Sequence, residues 1–172
     1  MKGSTNQLAY VSNPTNESGR QQETPLDKLT SSKILICDDD SFSIMAVKGL
    51  LTQFGLENDT ASSGEYAISL IKQRLESCLE DGSDGPGMYK LIVMDYSMPG
   101  MDGPTTIASI RKMLDAYRQK GKVGEVRICL LTAYASKDFK TQSISNLVDE
   151  FLNKPLLKPQ LQQQLIKAKL FE

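Results

Sequence analysis

Histidine occurs nowhere in this chain of 172 residues. Its absence excludes zinc sites of the usual type, imidazole general bases and any phosphohistidine made by the chain itself. An excess of charge of either sign is also missing: Lys+Arg total 20 and Asp+Glu 21, for a net charge of -1. Without a basic block, nucleic acid is not expected as a primary partner. No apolar run is long enough to span a bilayer, and the N-terminus lacks the charged-then-apolar layout of a signal peptide. This segment is therefore expected to make no membrane contact. Cysteines are few: Cys37, Cys78 and Cys129 lie far apart, two of them inside apolar runs. They read as reduced, mostly buried thiols of a cytosolic protein rather than a disulfide or metal set.

What is present divides at about residue 30. Residues 1–30 are polar and poor in apolar anchors, which predicts a flexible tail or interdomain linker. Residues 31–172 are long enough for one domain with a real core. Within them Leu91-Ile92-Val93-Met94 runs without a break into Asp95, and Pro99, Gly100, Asp102 and Gly103 follow as turn formers. This is the pattern of a central strand buried on both faces, with Asp95 at its carboxyl end. Alone, the stretch is also compatible with an acid that merely ends the strand and caps the turn. Lys33 to Cys37 is a second such run, closed by Asp38, Asp39 and Asp40.

Helical spacing follows at Phe42, Ile44, Val47, Leu50, Leu51 and Phe54, and Gly55 stops that helix. A short strand is expected near Glu57 to Ala61. A helix opened by Gly64 carries Ala67, Ile68, Ile71 and Leu75, and a loop is expected from Ser77 to Tyr89. Pro104 suits the first turn of a third helix through Leu114. Val126 to Leu131 reads as a strand closed by Thr132, Ser136 as the cap of a short helix, and Phe151-Leu152 as a fifth strand. Pro159 starts a last helix with Leu161, Leu165 and Ile166. Strict alternation of this kind predicts a doubly wound α/β fold, a five-stranded parallel sheet of order 2-1-3-4-5.

That order sets strands one and three side by side and brings Asp38 and Asp39 next to Asp95. Three carboxylates in one cleft repel, each pair by about 4 kcal/mol at 4 Å and an effective dielectric near 20. Either protons or a cation must offset this. Oxygen-only ligands point to Mg²⁺, which pairs naturally with phosphate. Thr132 and Lys154 end strands four and five at the same edge. Phosphoryl transfer requires a metal, fixed positive charge and hydrogen-bond donors, and Asp95 can serve as the nucleophile that forms an aspartyl phosphate.

Four stretches in this order resemble the response-regulator receiver domains of two-component phosphorelays. They are Ile34-Leu35-Ile36-Cys37-Asp38-Asp39, Val93 to Gly103, Leu130-Leu131-Thr132-Ala133 and Phe151-Leu152-Asn153-Lys154-Pro155. The resemblance implies a flavodoxin-like (βα)5 fold over residues 31–172 and a phosphoacceptor role for Asp95. It implies Mg²⁺ ligation by Asp39, Asp95 and the backbone carbonyl of Ser97, with Asp38 helping through water. Thr132 and Lys154 would bind phosphoryl oxygens, Thr132 and Phe151 would act as switch residues, and the Lys154-Pro155 bond would be cis. The phosphoryl donor would be a phosphohistidine on a histidine kinase or histidine phosphotransfer protein, and the domain would not be an enzyme with a separate substrate. Output would lie in an unspecified partner or a longer parent chain, since no DNA-binding domain is read after the last helix. The setting would be cytoplasmic, free-standing or as the cytosolic part of a membrane-bound hybrid kinase of eukaryotic type, to which the long Ser77–Tyr89 and Asp115–Glu125 connections are similar. Leu147, where the family often has glycine, and the bulky Tyr134 depart from the pattern.

Three rivals remain at this stage. An FMN protein of the same sheet order would need hydroxyl and glycine donors where Asp38-Asp39-Asp40 stand. A phosphohydrolase with an aspartyl intermediate would need a second acid where Ser97 stands. A pseudo-receiver, acting only as a protein-interaction module, is the alternative kept for function.

Overall fold

The computed structural model describes residues 31–80, 87–121, 123–133 and 142–172. The expected tail over residues 1–30, the Ser136 cap and Tyr134 lie outside them. Five strands, β1 (Ile34–Cys37), β2 (Asp59–Ala61), β3 (Leu91–Asp95), β4 (Arg127–Thr132) and β5 (Glu150–Asn153), form one sheet of order β2-β1-β3-β4-β5. Every pairing is parallel. The expected strand order is thus the observed one. Helices α1 (Ser41–Thr52), α2 (Gly64–Glu80), α3 (Gly103–Arg118), α4 (Gln142–Ser145) and α5 (Lys158–Lys167) alternate with the strands.

The apolar runs explain the layering. In β1 and β3 every residue is buried, so alternate side chains feed two cores. Leu35, Cys37, Ile92, Met94, Ile128 and Leu130 face one core with the apolar sides of α2 and α3. Ile34, Ile36, Val93, Cys129 and Leu131 face the other with α1 and α5. Full burial of one such aliphatic side chain stabilises by roughly 1.5–3 kcal/mol.

Local signals start and stop the helices. Asp40 caps α1, its carboxylate accepting from the backbone N–H groups of Phe42 and Ser43. Asp102 caps α3 by accepting from Thr105 N–H at 2.8 Å, with Pro104 in the first turn. Gly55 ends the first helical segment at φ +68°, a left-handed conformation that favours glycine.

Two local expectations are corrected. The loop expected from Ser77 begins later, because α2 runs to Glu80. Cys78 sits one turn beyond Arg74 and is buried, so the inward face of the helix continues past Leu75. Phe42 is 77 % exposed although it matches the apolar spacing, and Ile166 at the other end is 47 % exposed. Phe42 lies in the first turn of α1, and only Ile44, Val47 and Leu51 of α1 are buried.

Candidate functional site

Register places the acids. Cys37 pairs with Met94 across β1 and β3, so the next residues, Asp38 and Asp95, stand abreast at the carboxyl edge. Asp95 in turn pairs with Leu131, and Thr132 follows as the last residue of β4, beside Asn153 on β5. The structure therefore brings Asp38, Asp39, Asp95, Thr132 and Lys154 to one edge. Carboxylate oxygens of Asp38, Asp39 and Asp95 lie within 4.8 Å of one another. Asp38 and Asp95 are buried, and Asp39 is the more open to solvent. Asp40, the third acid after β1, turns away to cap its helix and is fully spent there.

Lys154 bridges two of these acids. Its ammonium donates to Asp38 Oδ2 at 2.7 Å and lies 2.7 Å from Asp95 Oδ1. Burial alone would lower the Lys154 pKa, but the two carboxylates outweigh it and hold the group above its ordinary value. Asp38 is pushed up from the usual carboxylate range, first by burial and further by Asp95, against the pull of Lys154 and the Asp40 N–H. A buried thiol nearby senses the same field. Cys37 is raised by burial and then by Asp38, Asp95, Asp39 and Glu65, so it stays a neutral, unreactive thiol.

The remaining candidates occupy the surrounding loops. Ser97 is exposed, two residues past Asp95. The Lys154-Pro155 bond is cis. Phe151 pairs with Leu130, two residues before Thr132, so Phe151 and Thr132 belong to the same face of the sheet. Thr132 is buried and Phe151 half-buried against the α2–α3 core.

Two features go beyond what the sequence shows. The Lys154–Asp38 bridge joins residues 116 positions apart, which the sequence places only at a common sheet edge. Gly103 passes so close beneath the site that a Cβ there would overlap the Asp95 carbonyl oxygen. A glycine in a turn is expected for other reasons, so this close approach could not be read from the sequence.

The donor set fits Mg²⁺. All three acids offer oxygen, and two ligands on opposite sides of an octahedral ion at 2.0–2.1 Å would stand about 4.2 Å apart. The three carboxylates lie within 4.8 Å of one another, so small side-chain movements would bring them onto one such ion.

Comparison with known proteins agrees with the geometry. A family model described as the response regulator receiver domain matches residues 34–166. The chain belongs to the receiver domain family. Among curated relatives, the sensor protein GacS of Pseudomonas syringae is 27 % identical over 135 residues, covering 78 % of this chain but 13 % of that protein. Hybrid signal transduction histidine kinase B of Dictyostelium discoideum is 30 % identical over 142 residues, covering 80 % of this chain and 7 % of the kinase. This receiver domain thus spans only a small part of the kinases it matches. Among solved structures, a single-site variant of the receiver domain of the histidine kinase CKI1 from Arabidopsis thaliana superposes with a TM-score of 0.68. It is 25 % identical, and the match covers 81 % of this chain and 92 % of that one. The same Arabidopsis domain complexed with Mg²⁺ gives a TM-score of 0.64 at 23 % identity, over 80 % and 90 % of the two chains, and supports the fold. This is a receiver domain of two-component signalling, similar to those of hybrid kinases, with a flavodoxin-like fold. No helix among the described residues is long and apolar enough to cross a membrane.

Proposed function

We propose that this receiver domain accepts a phosphoryl group on Asp95 from a phosphohistidine carried by a histidine kinase or histidine phosphotransfer protein. The reading rests on one observation: Asp95 shares a cleft with Asp38 and Asp39 while Lys154 holds a fixed positive charge 2.7 Å from its carboxylate. An Asp95 carboxylate oxygen attacks phosphorus in line. The O–P bond of an acyl phosphate forms as the N–P bond breaks, and the imidazole leaves with the bonding pair and takes up a proton.

Mg²⁺, held by Asp39, Asp95 and the Ser97 backbone carbonyl with Asp38 helping through water, would neutralise the phosphoryl charge. The Mg²⁺ complex of the similar Arabidopsis domain supports this choice of ion. Lys154 shifts its donation from Asp38 toward a phosphoryl oxygen, and the Thr132 hydroxyl donates to another. Drawing Thr132 inward opens space on the face it shares with Phe151, whose ring fills it. The donor has an apolar surface to meet: Phe42 and Met45 on α1 and Leu157 before α5 are exposed large apolar residues close in sequence to Asp39 and Lys154. The domain acts in the cytoplasm, free-standing or within a hybrid kinase, and its output runs through a protein partner.

The test mixes the domain with a histidine phosphotransfer protein carrying a radiolabelled phosphohistidine. Label should move to this chain only with Mg²⁺ and should be released by hydroxylamine, as acyl phosphates are. Label that stays on the donor under all conditions, with several donors tried, would leave the pseudo-receiver reading in its place.

A further inference from the structure

The opposite end of the sheet carries a feature that phosphoryl transfer does not use. A groove of about 1360 Å³ opens at the amino edge of the strands. Lys33 immediately precedes β1, Lys90 immediately precedes β3 and Arg127 opens β4, and all three line it. From Lys33 to Asp38 the strand covers about 16 Å at 3.3 Å per residue, so groove and phosphoacceptor edge are separate. Seven basic and three acidic side chains line the groove, in a chain whose overall charge is -1.

The pairing inside the groove shows which charges are committed. Arg111 holds Asp149 and donates to the Leu147 and Val126 carbonyls. Arg118 pairs with Asp115, and Arg127 and Lys167 share Glu150. Lys33, Lys90 and Lys169 have no ion pair among the described residues. Lys33 is held below its ordinary pKa by burial first and then by the neighbouring charges of Arg74 and Lys90.

We propose that this groove is a docking site for an acidic segment of a protein partner. Its shape and chemistry favour an extended acidic chain over a small anion. A small-ligand pocket encloses about 300–1,000 Å³ and converges its polar groups on one point. Here the volume is larger, and the uncommitted lysines are spread over the starts of two strands and the end of α5. The Arg111 and Arg127 guanidiniums, which could grip a phosphate bidentately, already donate to carboxylate and carbonyl oxygens. An extended chain presents carboxylates about 7 Å apart at alternate residues, a spacing suited to lysines carried on different strands. The partner would therefore contact this domain at the edge remote from Asp95, leaving the phosphoacceptor cleft open.

A fluorescently labelled polyglutamate peptide is the probe. It should bind the intact chain, weaken steeply with added salt, and shift backbone NMR signals of residues 88–90, 124–127 and 167–169 while those of Asp38, Asp39 and Lys154 stay in place. Combined Lys33→Glu, Lys90→Glu and Lys169→Glu should weaken it by about tenfold or more, with an unchanged melting temperature. If the triple variant folds poorly, the single Lys90→Ala and Lys169→Ala changes, at exposed positions, carry the same expectation in smaller steps. Asp95→Asn should bind the peptide as the wild type does, which separates this site from phosphoryl acceptance. Unchanged affinity after charge reversal, or signal shifts confined to other residues, would overturn the proposal. So would equal affinity at the same residues for ATP or for a short single-stranded oligonucleotide, which would reassign the groove to a nucleotide or to nucleic acid.

Discussion

Replacing Lys154 with methionine keeps the apolar stem and removes the cation that lies between two buried acids. The ammonium is 2.7 Å from both Asp38 and Asp95. The two carboxylates, within 4.8 Å of each other, are then left facing one another, and unit charges at about 4 Å repel by about 4 kcal/mol at an effective dielectric near 20. Proton uptake caps this penalty. Protonating a carboxyl of ordinary pKa 3.8 at pH 7 costs about 4.4 kcal/mol, and less for Asp38, whose pKa burial has already raised. The Lys154 side chain retains 26 % exposure, so solvent screens part of what it supplies. The expected loss is about 2 kcal/mol at pH 7 in the presence of a chelator.

The pH dependence has a definite sign. Lys154 is raised, so its contribution is intact below its unfolded pKa of 10.5 and is lost only as pH climbs through the folded value. Asp38 is raised as well, so its contribution is present below its unfolded pKa and is lost as pH rises. Without the Lys154 charge, Asp38 holds its proton more tightly still. The stability gap between wild type and variant should therefore close on acidification toward pH 4 and open toward neutrality. Urea denaturation of both proteins with EDTA, at several pH values, measures it. Mg²⁺ should recover part of the loss, since a divalent ion replaces the missing positive charge. A variant as stable as the wild type at pH 7, or a gap that widens on acidification, would refute the counterion role.

Mg²⁺ at a hundredfold excess over its dissociation constant should stabilise the wild type by about 2.7 kcal/mol, and Asp39→Ala should remove most of that response in a thermal melt. Thr132→Ala should blunt the beryllofluoride-induced NMR shift at the Phe151 ring. One charge-assisted hydrogen bond supplies only about 1.5–3 kcal/mol, against about 5.5 kcal/mol for a complete switch, so some response should remain through Lys154. Arg74→Met should cost about 3–5 kcal/mol in chemical denaturation, because it strands buried Asp59, which Arg74 and Tyr89 now satisfy together. A loss below 1 kcal/mol would show that this amino-edge pair is not a structural tie.

The sheet and the acid cluster were legible because the signals that mark each strand and its terminal acid are local. Apolar runs ending in acids mark Ile34 to Asp39 and Leu91 to Asp95, and alternation with helical spacing sets the strand order. Asp40 shows where such reading stops: adjacency grouped it with Asp38 and Asp39, yet the helix start claims it as a cap. Phe42 matches a 3.6-residue period but is exposed in the first turn of α1, and periodicity alone does not report which turns of a helix meet the core. The Arg74, Asp59 and Tyr89 cluster joins residues 15 and 30 positions apart. Its cation lies over the Tyr89 ring at 3.9 Å, a pairing that register and burial create together. The basic groove was hidden for a similar reason, since Lys33, Lys90 and Lys169 are scattered single lysines until the amino edge gathers them.

The central claim is that Asp95 accepts phosphate. Intact mass after incubation with acetyl phosphate and Mg²⁺ tests it most directly. The wild type should gain the mass of one phosphoryl group, lose the gain when Mg²⁺ is chelated beforehand, and show none in Asp95→Asn with its fold intact. An Asp95→Asn protein that still gained that mass would contradict the assignment.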